Sequence, residues 1–295
     1  MKTIKKYLAL QILIIMAGSA NAQVYTTPNM FFEDWYMVNP SAITMYGDMS
    51  VMASSIISTS GIEGAPFSYY LHFRSAIMDN MGGGLRLKRD VRGNFRTTSF
   101  TGSYAYHVKI ASEHHLNFGL SLGLNIQNFD VVNVDVFDSG DPLLQNGDYR
   151  KNTILDEVGI HYKWKEFEAG AVGSYLFQSY NHIMTYAAYS YAIPGIDKLY
   201  LKPNVLYQYL PEYVNQLHAA LKVEYNMFWA AYSYVTNKDM MAAIGLRYQN
   251  FDIGCAYKFS HAEMSGIASF SNQVYLRYNF RRDPGKSEQP SAPWY

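Results

Sequence analysis

Residues 116–127, near the middle of the chain, alternate strictly between two kinds of side chain. Leucine, isoleucine or phenylalanine stands at every even position, and a small or polar residue stands at every odd one. Because successive side chains of a strand point to opposite faces, this period of two predicts a β-strand and argues against a helix. A strand with one apolar and one polar face suits a sandwich, a soluble barrel or a barrel in a membrane.

The first 22 residues have the pattern of a secretory signal peptide. A basic start precedes an apolar core that is shorter than the ~20 residues of a membrane-spanning helix. Ala20-Asn21-Ala22 provides the small residues of a cleavage site. We therefore expect export, with cleavage after Ala22.

The composition helps to choose between a sandwich, a soluble barrel and a membrane barrel. Aromatic residues make up 16% of the chain, with 27 tyrosines, and charged residues make up only 16%, against about 25% in ordinary soluble domains. The single cysteine, Cys255, leaves no intrachain disulfide, and a net charge of 0 offers no field for nucleic acid. An all-β transmembrane barrel in a bacterial outer membrane is favoured over a soluble sandwich.

The rest of the chain predicts about fourteen antiparallel strands. They span 49–59, 67–78, 83–90, 95–109, 116–127, 153–164, 166–177, 182–193, 198–210, 213–225, 227–236, 240–249, 251–260 and 272–280. An even count leaves both ends of the chain in the periplasm, with short turns on that side and longer loops outside.

The predicted strands divide the chain into four parts. A signal peptide, 1–22, precedes an N-terminal segment, 23–47, that plugs or lines the periplasmic side of the barrel. The barrel itself spans 48–280, and a disordered periplasmic tail spans 281–295.

The polar strand faces should line the lumen of the barrel. The predicted lumen network consists of Arg74, Arg86, Lys88, Glu157, His161, Lys202, Lys222, Arg247 and Arg277. These side chains could attract anions to an open pore, or they could form ion pairs that hold the barrel's shape. The bulky N-terminal segment favours the second interpretation, because it could block the bore.

The sequence gives no sign of catalysis, of a cofactor or of a metal centre. A Gly-x-Ser-x-Gly nucleophile motif is absent, and the chain has no Cys/His cluster. His114 and His115 fall at a predicted turn without further ligands. The loop with Asp135, Asp138 and Asp141 has a calcium-binding composition but not the spacing of a calcium loop, and we interpret it as a solvated surface.

Several stretches, taken in order, resemble a known family, the PorP/SprF outer-membrane proteins of the type IX secretion system in Bacteroidetes. Near the start, an aromatic run from Phe32 ends in Asn39-Pro40. The glycine-spaced strand 120–124 follows. Further matching stretches are 182–189, 201–206, 228–234 and 252–257.

The resemblance implies a non-enzymatic barrel that works by contact with other proteins. It would serve as a docking or anchoring platform for secreted or surface-displayed cargo, for gliding adhesins, and for secretion components such as a periplasmic lipoprotein. The candidate partner contacts are Phe32, Trp35, Tyr36, Asn39, Pro40, Asp135, Asp138 and Asp141. The alternative is a passive porin or a transporter of small apolar solutes.

Overall fold

Fourteen antiparallel strands close into one barrel in the computed structural model of the protein. The structure describes residues 29–45, 49–58, 65–129, 149–178, 182–211, 215–236, 239–260 and 270–280. The strands are β1 Met49–Ser58, β2 Phe67–Met78, β3 Met81–Arg92, β4 Phe95–Ala111, β5 His114–Phe129, β6 Tyr149–Trp164, β7 Phe167–Ser174, β8 His182–Tyr189, β9 Tyr191–Ala192, β10 Leu199–Tyr209, β11 Gln216–Tyr225, β12 Phe228–Val235, β13 Asp239–Tyr248, β14 Phe251–Ser260 and β15 Phe270–Phe280.

The strand order follows the sequence around the wall. β8 and β9 both pair with β10 and are separated by one residue, so they are two parts of one wall strand. β15 pairs with every residue of β1 and closes the barrel. The predicted fold class and strand number are confirmed.

The two ends of the barrel differ in their connections. At the end where β1 begins, five of the six connections are two-residue turns: 79–80, 112–113, 165–166, 226–227 and 249–250. At the other end, the connections include the nineteen residues 130–148, which lie outside the described part of the chain. We call these the short-turn end and the long-loop end; in outer-membrane barrels short turns face the periplasm.

The alternating strand 116–127 lies within β5 and separates the two faces as its sequence predicts. Phe118, Leu120 and Leu122 point outward and are 46–54% exposed. Asn117 and Ser121 point into the bore and are each 1% exposed. The outward apolar surface is the face that lipid would cover.

The predicted strand 166–177 is longer than the strand that the structure shows there. The alternation extends to residue 177, but β7 ends at Ser174 because the next residues turn and bond to β6. The backbone N–H groups of Tyr175 and Leu176 donate to the backbone oxygen and the carboxylate of Asp156, at 2.9 and 2.6 Å. The amide of Gln178 donates to the Ile154 carbonyl, so this turn occupies backbone acceptors that a longer β7 would have used.

The bore of the barrel holds residues 29–45, which we call the plug. It contains three short 3₁₀ helices, Phe31–Glu33, Trp35–Met37 and Pro40–Met45. From Met30 to Ile43 every plug residue except Met37 is buried. Among the described residues no helix is long and apolar enough to span a membrane. The structure therefore places residues 29–45 of the predicted N-terminal segment 23–47 inside the barrel, whereas the rest of that segment, the predicted signal peptide 1–22 and the predicted tail 281–295 lie outside the described residues.

Candidate functional site

The plug holds its own shape through two side chains that bond to nearby backbone. Asp34 accepts a hydrogen bond from the Tyr36 N–H at 3.0 Å and so begins the second 3₁₀ helix. Asn39 accepts from the Ser41 N–H and hydroxyl, at 3.0 and 2.7 Å. Its amide donates to the Ile160 carbonyl and the Tyr186 hydroxyl, each at 3.1 Å. The plug is therefore bonded to the wall at β6 and β8.

Glycines of the wall make room for the plug where the two backbones approach most closely. A Cβ on Gly119 would overlap the backbone of Pro40 and Ser41. One on Gly159 would overlap the Asn39 side chain. The odd positions of the alternating strand thus include a glycine that the plug requires.

Aromatic rings fill the other side of the plug. The Trp35 and Tyr186 rings are stacked, with centroids 4.0 Å apart and planes 10° apart. Phe31 and Phe32 pack edge-to-face at 5.5 Å, and Phe32 also contacts Trp229. These rings are buried together, and their apolar burial helps to hold the plug in the bore.

The plug carries two adjacent acids, and Asp34 is the more deeply enclosed. Its carboxylate is 3.1 Å from Arg74 Nε, 3.3 Å from His72 Nε2 and 3.8 Å from an Arg277 nitrogen. Burial alone would raise the pKa of Asp34, but the charge of Arg74 and the hydrogen bond with His72 hold that pKa well below its usual range. Asp34 is therefore an anion that pairs with wall cations on β2 and β15.

Glu33 binds the opposite part of the wall. Its carboxylate is 2.5 Å from Lys222 Nζ, 3.1 Å from the Tyr275 hydroxyl and 3.4 Å from Arg247. Its backbone carbonyl accepts from Arg277 Nη1 at 2.8 Å. The two plug acids thus connect to β2, β11, β13 and β15, which lie on both sides of the barrel's closure.

Two wall acids complete the charge network. Glu224 pairs with Lys202, Lys222 and Arg247, at 2.5, 2.9 and 2.9 Å. Asp252 is 3.0 Å from Arg247 Nε and also pairs with Arg277. Each of these four cations therefore meets at least one carboxylate, so the charges of this network are paired within the protein.

The plug lies between two cavities. The larger, of about 610 Å³, is bordered by Phe32 and Trp35 and reaches the short-turn end at Asp197, Lys198 and Asn226. The smaller, of about 150 Å³, is bordered by Met37 and Val38 and by wall residues nearer the long-loop end. Plug residues contribute to both linings, so the plug divides the bore.

A family model for the type IX secretion system membrane protein PorP/SprF matches residues 20–278 of the chain. The chain belongs to the PorP/SprF family. Its membership confirms the resemblance seen in the sequence. Among curated proteins none matches the chain significantly.

Solved outer-membrane barrels share the fold of this PorP/SprF chain. The toluene transporter TodX of Pseudomonas putida aligns with a TM-score of 0.55 at 10% identity, over 83% of this chain and 93% of that one. Omp33 of Acinetobacter baumannii aligns with a TM-score of 0.52 at 7% identity, over 79% and 98%. The monoaromatic hydrocarbon channel CymD aligns with a TM-score of 0.53 at 12% identity, over 83% and 92%. At such identities the likeness concerns the fold.

The structure places most of the predicted lumen cations together. Arg74, Lys222, Arg247 and Arg277 contact the plug acids, and Lys202 joins them through Glu224.

The other predicted lumen residues lie nearer β3 and β6. Arg86 pairs with Glu157 and lies 3.5 Å from the Tyr36 carbonyl. His161 Nδ1 is 2.6 Å from the Tyr186 hydroxyl. Lys88 stands apart from the network, with Nζ 5.2 Å from the Tyr70 ring centroid.

The predicted partner contacts fall in three groups. Phe32 and Trp35 border the larger cavity, whereas Tyr36, Asn39 and Pro40 are enclosed by the wall. The last group is Asp135, Asp138 and Asp141, which lie outside the described residues.

Sequence reasoning included Glu157, the partner of Arg86, in the lumen network but missed Glu33, Asp34 and Asp252 as partners of lumen cations. Glu33 and Asp34 lie within the segment that it assigned to the bore, but their partners are 38 to 244 residues away in sequence. Asp252 and Tyr275 occupy inward positions of β14 and β15, so strand alternation could have identified them as lumen residues.

The histidines expected at a turn lie in a strand instead. The turn is 112–113, and His114 and His115 begin β5, with His115 Nδ1 3.3 Å from His107 Nε2. Within the described ranges, no three His, Cys, Asp or Glu side chains are arranged to hold a metal ion.

Proposed function

We propose that this PorP/SprF barrel is a non-enzymatic docking platform of the type IX secretion system. It would hold secreted or surface-displayed cargo, or a secretion component such as a periplasmic lipoprotein, rather than conduct solutes. The observation that carries the proposal is the plug, which divides the bore and is bonded to the wall through Glu33, Asp34 and Asn39. A barrel built in this way offers surfaces for contact but little room for flow.

The larger cavity is the surface that best suits a periplasmic partner. It opens at the short-turn end, and its border carries both signs of charge together with the aromatic side chains of Phe32 and Trp35. Mixed charges around aromatic anchors are typical of protein-binding surfaces. Lys198 and Asp197 are exposed at its mouth, where a partner would meet them first.

A secretion assay with a charge-swapped cavity tests the proposal. In a strain lacking the gene, we expect one or more type IX cargo proteins to be lost from the medium or the cell surface, and wild-type protein to restore them. The variant Asp197→Lys/Lys198→Glu should restore much less, because it reverses the charges at the mouth without changing net charge.

The matched control swaps an exposed ion pair at the same end. Glu113 and Lys165 are 3.2 Å apart and lie away from the cavity. Glu113→Lys/Lys165→Glu should restore secretion fully. Normal export of every cargo in the deletion strain would reject the docking function, and equal effects of the two swaps would reject the cavity as its site. The porin alternative requires solute flow through purified protein in vesicles.

A further inference from the structure

Three arginines interrupt the apolar outer face of the barrel, and they lie together. Among the described strands, Arg89 on β3, Arg96 on β4 and Arg150 on β6 are the arginines or lysines that point away from the bore. The other strand lysines and arginines share the inward positions. All three outward side chains are exposed, and we call them the arginine patch.

Strand pairing fixes the relative heights of the three residues. Arg96 pairs with Asn128, which pairs with Arg150, so one row crosses β4, β5 and β6. Arg89 pairs with Thr98 and lies in the next row toward the short-turn end. Since neighbouring strands are about 4.8 Å apart, the Arg96 and Arg150 backbones are separated by about 10 Å. This spacing lets the guanidinium groups converge on one ligand.

The next row of outward residues, one step from Arg89 toward the short-turn end, is entirely apolar. It runs across five neighbouring strands and consists of Leu71, Leu87, Phe100, Leu124 and Ile154, all outward and 42–59% exposed. The patch therefore lies at the boundary of the apolar outer surface on the side of the long-loop end. At such a boundary a charge costs far less than at mid-membrane, and it faces the head groups of the outer leaflet.

Two arginines of the patch, Arg89 and Arg150, differ from the paired cations of the bore. Neither Arg89 nor Arg150 forms an ion pair with a described residue; Arg150 Nε lies 3.4 Å from the Asn152 side-chain oxygen. The β3–β4 connection beside the patch has only two residues, 93–94, so it leaves the outer wall uncovered there. The patch thus presents exposed guanidinium groups next to an apolar surface.

We propose that the arginine patch binds the phosphorylated head group of an outer-leaflet lipid, whose acyl chains pack on the apolar row. Guanidinium groups bind phosphate oxygens through paired, charge-assisted hydrogen bonds. Clustered arginines near a membrane surface also attract anionic lipid. The site lies on the outer wall and is independent of the docking cavity in the bore.

Lipid retention by the purified barrel tests this proposal. The full chain is exchanged into detergent with phosphorylated lipid A, and bound lipid is counted by native mass spectrometry. The variant Arg89→Gln/Arg96→Gln/Arg150→Gln should bind lipid A about a hundredfold more weakly than wild type, since each of the three cations near an anionic surface contributes roughly fivefold. Dephosphorylated lipid A should bind both proteins equally weakly, and excess inorganic phosphate should not displace lipid A from wild type.

A matched control removes three cations from the same end on the inward face. Lys88, Arg92 and Lys151 occupy positions adjacent to the patch, but their side chains share the inward face. Lys88→Gln/Arg92→Gln/Lys151→Gln should retain lipid A like wild type. Equal retention by the patch variant, equal loss in the control, or tight binding of the dephosphorylated lipid would each overturn the proposal.

Discussion

The inner and outer faces of the barrel wall carry charge in opposite ways. Inside, Arg74, Lys222 and Arg277 each meet a buried carboxylate, and the acids include Glu33 and Asp34 of the plug. Outside, the charged side chains of the described strands are the three of the arginine patch and Asp156, which the 175–178 turn covers. The inner face is therefore completed by a distant piece of the same chain, whereas the outer face is left for lipid.

The comparison predicts its largest effect at the plug. Asp34→Asn leaves Arg74 and Arg277 buried with one carboxylate fewer, which should lower the free energy of unfolding by about 3–5 kcal/mol. Urea unfolding in lipid vesicles measures this change. The exposed pair gives the control: Glu113→Gln, which loses an ion pair with Lys165, should cost less than about 1 kcal/mol. Similar losses of unfolding free energy in the two variants would mean that Asp34 contributes no more to stability than an exposed ion pair does.

A charge on the outer face should have the next largest effect. Leu122 lies near the middle of β5 and points to lipid, so Leu122→Arg should cost roughly 2–4 kcal/mol. Asn125→Arg places the same charge on the lumen side of the same strand and should cost less. The same unfolding assay compares them. The assignment of faces fails if the lumen substitution proves the more costly.

Strand alternation explains why so much of the wall could be predicted. The period of two in residues 116–127 identifies both faces of β5 without reference to any partner, and the same holds for the inward cations Arg74 and Arg277. Alternation carries no information about which distant anion meets them. Asp34 lies in a segment without period, so its pairing with β2 and β15 depends on the closed barrel and appears only in three dimensions.

Replacing a glycine by alanine should change stability by a smaller amount, and the change should differ between the two faces. A Cβ on Gly119 would strike the plug backbone, whereas one on Gly102 would meet nothing closer than 3.9 Å. Gly119→Ala should therefore destabilise by about 1–3 kcal/mol through overpacking. Gly102→Ala should be neutral or slightly stabilising, because it only restricts the unfolded chain. Thermal melting of the two variants in one detergent makes the comparison, and equal melting temperatures would contradict it.

The smallest loss of stability is expected for Lys88, the predicted lumen cation that lies outside the charge network. Lys88 contacts the Tyr70 ring and lies apart from the plug acids, so Lys88→Gln should cost no more than about 1 kcal/mol. Thermal melting measures this as well. A loss approaching that of Asp34→Asn would place Lys88 in the charge network after all.

The central claim, that the plug closes the barrel, is tested most directly by single-channel conductance in planar bilayers. Wild-type protein should show almost no conductance, and a variant lacking residues 29–45 should show stable channels, because the bore then loses the element that divides it. Circular dichroism and heat-dependent gel mobility would establish that the shortened variant is still a folded barrel. Wild-type conductance equal to that of the folded, plug-deleted variant would contradict the account.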